Sequence, residues 1–373
     1  MLRYTRTTSS NSLIQVLQYP VKCPKLTLNQ YHCSSLCSYQ LALSKFLRPK
    51  TLSNSLFTTM STSAPLTTRS STPASNTQGS TEPIERAKRA AASLAVKHHF
   101  PSSARYIGIG SGSTIVYVVE AIQALNNPSI SNMLFVPTGY QSRQVILRAG
   151  LKDMKFDSLP KGTLMDVAFD GADEVDDDLN CIKGGGACLY QEKLVATHAK
   201  KFICVADHRK LQARLLTNWP TIPIEVEPLA VASVSQSLEM LGSKDPKVRE
   251  GNMLKAGPVK TDQDNFIIDA PFDTLMLKSE IETSKSLHPT HQGVEGTGVD
   301  GKWEVESLAR AIKGIEGVLS VGIFCGEDGE QVLANGGKTG GQKPVAAYFG
   351  MEDGSVKVRR KGEDGRIIEK HES

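Results

Sequence analysis

The sequence has no apolar run approaching the ~20 residues that a membrane-spanning helix requires, so no membrane partner is expected. It has no C-x-x-C pair. Its seven cysteines stand apart at Cys23, Cys33, Cys37, Cys181, Cys188, Cys204 and Cys325. Scattered thiols of this kind suit a reducing compartment, where buried cysteines act as small apolar fillers. The eight histidines lack ligand spacing, with His98-His99 and His288/His291 isolated, so no metal site is expected.

Acidic residues are absent from the first 81 positions, which carry eight Lys and Arg. The formal charge of +4 therefore misleads: the rest of the chain has 35 bases against 39 acids, a net −4. A mildly acidic body argues against a nucleic-acid surface. Residues 1–81 are rich in Ser, Thr, Leu and Asn and are expected to form no fold, either as a disordered extension or as a targeting segment. Met60-Ser-Thr-Ser-Ala64 reads as an ordinary cytosolic start, so a cytoplasmic location is expected. A mitochondrial address is the alternative if residues 1–59 are a transit peptide.

The densest chemistry lies between Asp170 and Glu192. Asp166-Val-Ala-Phe169 reads as the end of a buried strand, and six acids follow between Asp170 and Asp178. Asp176, Asp177 and Asp178 read as a solvated acidic loop. A calcium loop is rejected, because Cys181 occupies the glycine position and Ala187 the closing-glutamate position. Lys183-Gly-Gly-Gly-Ala187 can turn backbone N–H groups inward as an anion cradle, or can be a plain flexible turn. Glu192 falls in the first turn of a helix predicted over 190–200, where the helix dipole favours a carboxylate. By itself that position also fits a structural glutamate.

Upstream, Tyr106-Ile-Gly-Ile-Gly110 predicts a buried strand, with a helix opening at Ser113. The loop between them sets backbone N–H groups and the hydroxyls of Ser111, Ser113 and Thr114 at a helix N-terminus, a ready phosphate site. A dinucleotide loop is disfavoured: Ser113 stands where the third glycine of G-x-G-x-x-G belongs, and Met133-Leu-Phe-Val136 ends in Pro137-Thr138 with no acid for a ribose.

Four blocks together resemble the type A ribose-5-phosphate isomerase family: Gly108-Ile-Gly-Ser-Gly-Ser-Thr114, Asp170-Gly-Ala-Asp-Glu174, Lys183-Gly-Gly-Gly-Ala187 with Glu192, and Lys201-Phe-Ile-Cys-Val-Ala-Asp207 followed by Lys210. Their order and spacing match over roughly residues 84–358. The resemblance implies an aldose–ketose isomerase acting on a pentose 5-phosphate without a cofactor, as a homodimer or homotetramer. It implies Glu192 as the base moving a proton between C1 and C2. Asp170, Asp173 and Lys210 would contact the ring oxygen and hydroxyls, and Lys183 would supply positive charge. Ser111, Gly112, Ser113, Thr114 and Lys88 would hold the phosphate. Gly171, Ala172, Gly184, Gly185 and Gly186 complete the substrate-binding set. A nicotinamide-linked oxidoreductase and a non-catalytic sugar-phosphate sensor are the competing readings.

The alternation of elements predicts an α/β fold: a Rossmann-like, mostly parallel sheet flanked by helices over 82–220, with predicted strands at 153–157, 165–169 and 202–206. From 221 to 325 a β-α-β-β-α-β order predicts a smaller ferredoxin-like α+β domain, with a hairpin pairing 253–259 with 266–270 and a last strand over 318–324. Stretches 284–302 and 327–343 read as surface insertions. Within 326–373, residues 346–357 are expected to return strands to the first domain, and the charged tail after Arg359 is expected to fray.

Overall fold

A computed structural model of the protein describes residues 81–251, 256–281 and 302–372. The expectations for residues 1–80 and for the 284–301 insertion lie outside the described residues.

The first half runs α1 (Thr81–His99), β1 (Tyr106–Ile109), α2 (Ile115–Ala124), β2 (Leu134–Pro137), α3 (Tyr140–Arg148), β3 (Val167–Asp170), β4 (Glu174–Val175), β5 (Cys181–Ile182), α4 (Leu189–Thr197) and β6 (Phe202–Asp207). The second half runs β7 (Ile222–Val226), α5 (Val231–Met240), β8 (Lys247–Val248), β9 (Phe266–Ala270), α6 (Val305–Lys313), β10 (Val318–Val321), β11 (Ile323–Phe324), α7 (Gly329–Ala334), β12 (Ala346–Gly350), β13 (Val356–Lys361) and β14 (Ile367–Glu372).

The main sheet has the order β14-β13-β12-β6-β3-β1-β2. The five strands from β12 to β2 are parallel, and β13 and β14 add antiparallel at one edge. Every residue of β1, β3 and β6 is buried, as expected of a parallel sheet covered on both faces. On one face, α1 lays Ala91, Ala92, Ala95 and Val96 into the core shared with Ile107 and Tyr348. On the other, α4 sits so close to β1 that a Cβ on Gly108 would lie 2.6 Å from Val195 Cγ1. That glycine lets the Glu192 helix rest directly on the strand leading to the 110–114 loop.

A second sheet, β10-β7-β9-β8, is antiparallel throughout. Counting from β7, its strands run 4-1-3-2, with α5 and α6 as the two crossovers. Ile224, Val234, Leu238, Leu308 and Ile312 share its core. The strand expected over 318–324 breaks at Gly322. A Cβ there would meet Pro223 O at 2.5 Å and Lys183 O at 2.6 Å. β10 therefore stays in the second sheet, while β11 joins β5 and β4 in a three-stranded sheet.

Four other expectations need correction. The strand expected over 153–157 reduces to one bridge, Phe135 to Asp153, and then a 3-10 turn at Phe156–Ser158 that sets Phe156 edge-on to His198. β9 pairs with β8 instead of with 253–259; that stretch lies partly outside the described residues and contributes the single bridge Glu250 to Pro258. The tail does not fray: β14 zips onto β13, and Arg359 and Lys357 both pair with Glu369. Asp176 is fully buried, because its carboxylate accepts hydrogen bonds from the N–H groups of Asp178 and Asn180 and from the Asn180 amide.

The 327–343 stretch is seated on the fold. Asp328 caps α7, and the N–H of Gly340 donates to Thr197 O at the end of α4. No helix among the described residues is long and apolar enough to cross a membrane.

Candidate active site

The carboxyl ends of β1, β3 and β6 open on the same edge of the parallel sheet, as an open α/β fold places its ligand crevice. After β1 the chain turns through Gly110–Thr114 into α2. Gly112 takes φ +98°, a left-handed backbone that favours glycine, and its N–H donates to Gln141 Oε1 at 2.7 Å. Lys88 reaches this loop from α1. It is a buried lysine, with Nζ 2.9 Å from both Ser113 Oγ and Glu85 Oε1.

β3 delivers Asp170 beneath the loop. Asp170 Oδ1 accepts from the N–H groups of Ser111 (3.1 Å) and Gly171 (2.7 Å). A Cβ at position 110 would lie 1.9 Å from that oxygen, so only glycine leaves room for the carboxylate. β5 delivers Lys183, whose N–H donates to Gly322 O at 2.9 Å. Lys183 Nζ then meets three oxygens: Gly171 O at 2.6 Å, Asp170 Oδ2 at 2.8 Å and Glu192 Oε2 at 3.3 Å. Glu192, on the first turn of α4, accepts the Ser111 hydroxyl on Oε1 at 2.6 Å. Its Oε2 takes no hydrogen bond among the described residues. Between β5 and α4 the glycine loop turns back, and the N–H of Gly185 donates to Asp173 Oδ2 at 2.8 Å.

The electrostatics follow from burial. The Lys183 side chain is 3% exposed, and those of Asp170 and Glu192 are 4%. Burial pushes the Asp170 carboxyl up, and the facing Lys183 ammonium opposes that push. Burial would push Lys183 down, but the Asp170 and Glu192 carboxylates outweigh it, and the ammonium is held above its ordinary value. Asp173 is also raised by burial, against the pull of the Gly185 N–H. One cation thus serves two carboxylates in a dry corner.

These groups border a cavity of about 300 Å³. Every candidate residue named from the sequence lines it except Asp170, which contacts the lining residues Ser111, Gly171 and Lys183. Glu192 and the 111–114 turn therefore share one rim. Lys210 also lines the cavity, with Nζ 4.8 Å from the centre of the Trp219 ring. Ser111 has a more specific place than a phosphate loop implies, since its hydroxyl is given to Glu192.

Four further residues line the cavity, Val205, Ala206, Asp207 and Arg209; sequence reading assigned none of them a role, although the first three stand in a quoted block. Arg209 grips Asp207 with two hydrogen bonds of 2.7 and 2.9 Å. Burial would raise Asp207, but the guanidinium wins and holds it below the ordinary carboxylate range. Their position at the end of a buried strand was the available signal. Among the described residues, no three His, Cys, Asp or Glu side chains gather as a metal site would require.

Residues 134–338 match the model of the family described as ribose 5-phosphate isomerase A (phosphoriboisomerase A). A ribose-5-phosphate isomerase of Schizosaccharomyces pombe is 42% identical over 287 residues, covering 77% of this chain and 87% of the relative. The structure of ribose 5-phosphate isomerase A from Methanocaldococcus jannaschii is 28% identical with a TM-score of 0.55, covering 74% of this chain and 99% of that one. A D-ribose-5-phosphate isomerase solved in complex with phospho-erythronic acid is 30% identical with a TM-score of 0.54, again covering 74% and 99%.

Proposed function

The chain belongs to the ribose 5-phosphate isomerase A family, and we propose the route by which its residues interconvert D-ribose 5-phosphate and D-ribulose 5-phosphate, with Glu192 as the base. The observation carrying this reading is the state of the Glu192 carboxylate. One oxygen is pinned by Ser111, the other faces the Lys183 ammonium at 3.3 Å and takes no hydrogen bond among the described residues, and Glu192 lines a cavity of sugar-phosphate size.

The substrate phosphate sits at the N-terminus of α2, against Ser113, Thr114 and Lys88. This leaves the sugar carbons towards Glu192. The Glu192 carboxylate removes the proton from C2 of the open-chain aldose and returns it to C1. In the enediolate between those steps, negative charge grows on the two oxygens, and Lys183 and the glycine-loop N–H groups stabilise it there. The C1 oxygen gains a proton and the C2 hydroxyl loses one. Asp170, Asp173 and Lys210 contact the ring oxygen and hydroxyls, open the cyclic form and move the oxygen-bound proton. The same reading extends to a homodimer or homotetramer in the cytoplasm, to be checked by light scattering and by fractionation.

The direct test follows ribose 5-phosphate by NMR in deuterated water with the purified protein. Conversion to ribulose 5-phosphate without added cofactor is expected, with deuterium entering at the carbon that receives the proton. An inert mixture, or one that turns over only with a nicotinamide added, would end this reading.

A further inference from the structure

The glycine loop is held from behind by a residue of the second sheet's domain. Arg249 follows β8, and its backbone is fixed on both sides: its N–H donates to Ile267 O at 2.7 Å, and its carbonyl accepts from the Val259 N–H at 2.8 Å. Asp269, on β9, clamps the guanidinium through Nε at 2.7 Å and through Nη2 at 2.5 Å. This fork-to-fork pairing leaves the guanidinium little freedom to rotate. Nη1 is then aimed at the loop and donates to two successive carbonyls, Gly184 O and Gly185 O, each at 3.0 Å.

A trans peptide is planar, and its C=O and N–H point in opposite directions. Fixing the Gly184 carbonyl on Arg249 therefore turns the next N–H, that of Gly185, the other way. That N–H is the one that holds Asp173 Oδ2. Fixing the Gly185 carbonyl does the same for the N–H of Gly186. Gly186 lines the cavity, and its N–H meets no acceptor among the described residues. Without a hold on both carbonyls, three adjacent glycines would sample many orientations of these amides.

We infer that Arg249, oriented by Asp269, is a positioning residue for the isomerisation: by gripping two carbonyls of the glycine loop it aims one N–H at Asp173 and the next into the cavity, where the enediolate charge forms. Arg249 itself stays behind the loop and touches no reacting atom. The inference rests on the proposed function, since it presumes that the loop faces the reacting sugar. It assigns the second sheet a share in catalysis that none of the sequence blocks indicated.

The test compares wild type with Arg249→Lys and Arg249→Ala, measuring kcat, KM for ribose 5-phosphate, inorganic phosphate affinity and the folded fraction. A lysine keeps the charge but cannot hold Asp269 with two bonds while reaching two carbonyls. Both variants are expected to lose about tenfold or more in kcat per folded site, with phosphate affinity within about threefold of wild type, because the 111–114 loop is untouched. Methylguanidine added to Arg249→Ala is expected to restore part of that loss, which it would not do for a generally loosened fold.

Wild-type kcat per folded site in either variant would overturn the inference. So would a loss that phosphate affinity shares in full, or a rate in Arg249→Ala that methylguanidine leaves unmoved. Wild-type protein is the control for the underlying function. If it does not convert ribose 5-phosphate, the proposed function fails; if it does and the variants match it, only the role of Arg249 fails.

Discussion

Ser111 donates its hydroxyl hydrogen to Glu192 Oε1 across 2.6 Å, joining the loop after β1 to the first turn of α4. The two residues are 81 positions apart. In the proposed route this bond orients the carboxylate that acts as base. Ser111→Ala is therefore expected to lower kcat by about tenfold and to change KM little, since the base loses its orientation while the phosphate contacts remain. Ser113→Ala or Lys88→Met should do the reverse, raising KM with kcat nearly kept. Steady-state kinetics of the three variants would settle the division. Equal effects on KM from all three would return Ser111 to the phosphate site.

Glu192→Gln keeps the shape and the Ser111 contact but removes the proposed base. A loss of about a thousandfold in kcat is expected, with phosphorylated ligands still bound. The NMR assay measures the first and calorimetry with inorganic phosphate the second. A variant retaining more than about a tenth of wild-type kcat would require another base.

Lys183 is the cation facing two buried carboxylates. Lys183→Met would leave Asp170 and Glu192 uncompensated. Breaking a buried pair in this way costs about 3–5 kcal/mol. Urea unfolding should show that loss, and turnover should fall with it. A variant as stable as wild type would mean that one carboxyl is already protonated in the native protein.

Away from the site, His99 Nε2 lies 2.8 Å from the Tyr348 hydroxyl. Burial is the main cause, aided by the charges of Lys201, His98 and Arg360, that lowers His99 from 6.5 to about 4. The unfolded chain then takes a proton that the folded one refuses. Stability contributed here is present above pH 6.5, declines as pH falls towards 4, and levels off below that. Thermal midpoints of wild type and His99→Gln across this range should diverge, with the variant falling less steeply. Parallel curves would remove His99 from the acid sensitivity.

Much of the frame was readable because it depends on local pattern. Short apolar runs such as Val167–Phe169 and Phe202–Ala206 are buried on both faces, and an alanine-rich stretch with Pro83 in its first turn makes α1. The β-α-β-β-α-β succession of the second sheet follows from local pattern in the same way. What failed to show in the sequence depends on partners far along the chain. Gly322 breaks a strand because Pro223 and Lys183 crowd it from other elements. The Ile367–Glu372 tail looks like a charged end, and becomes a strand only because β13 offers its edge. Asp176 looked solvated because the amides that satisfy it were not visible in a list of acids.

The residue types and their order were set by the sequence itself: a carboxylate on a helix start, a lone lysine before three glycines, and hydroxyls after a buried strand. Only the tertiary structure decided that Lys183 lies between Asp170 and Glu192, that Ser111 bonds to Glu192, and that Arg249 braces the loop from the neighbouring sheet. Hydrogen bonds of about 3 Å are fixed by where whole elements pack, and that packing brings together residues whose separation along the chain carries no trace of the contact.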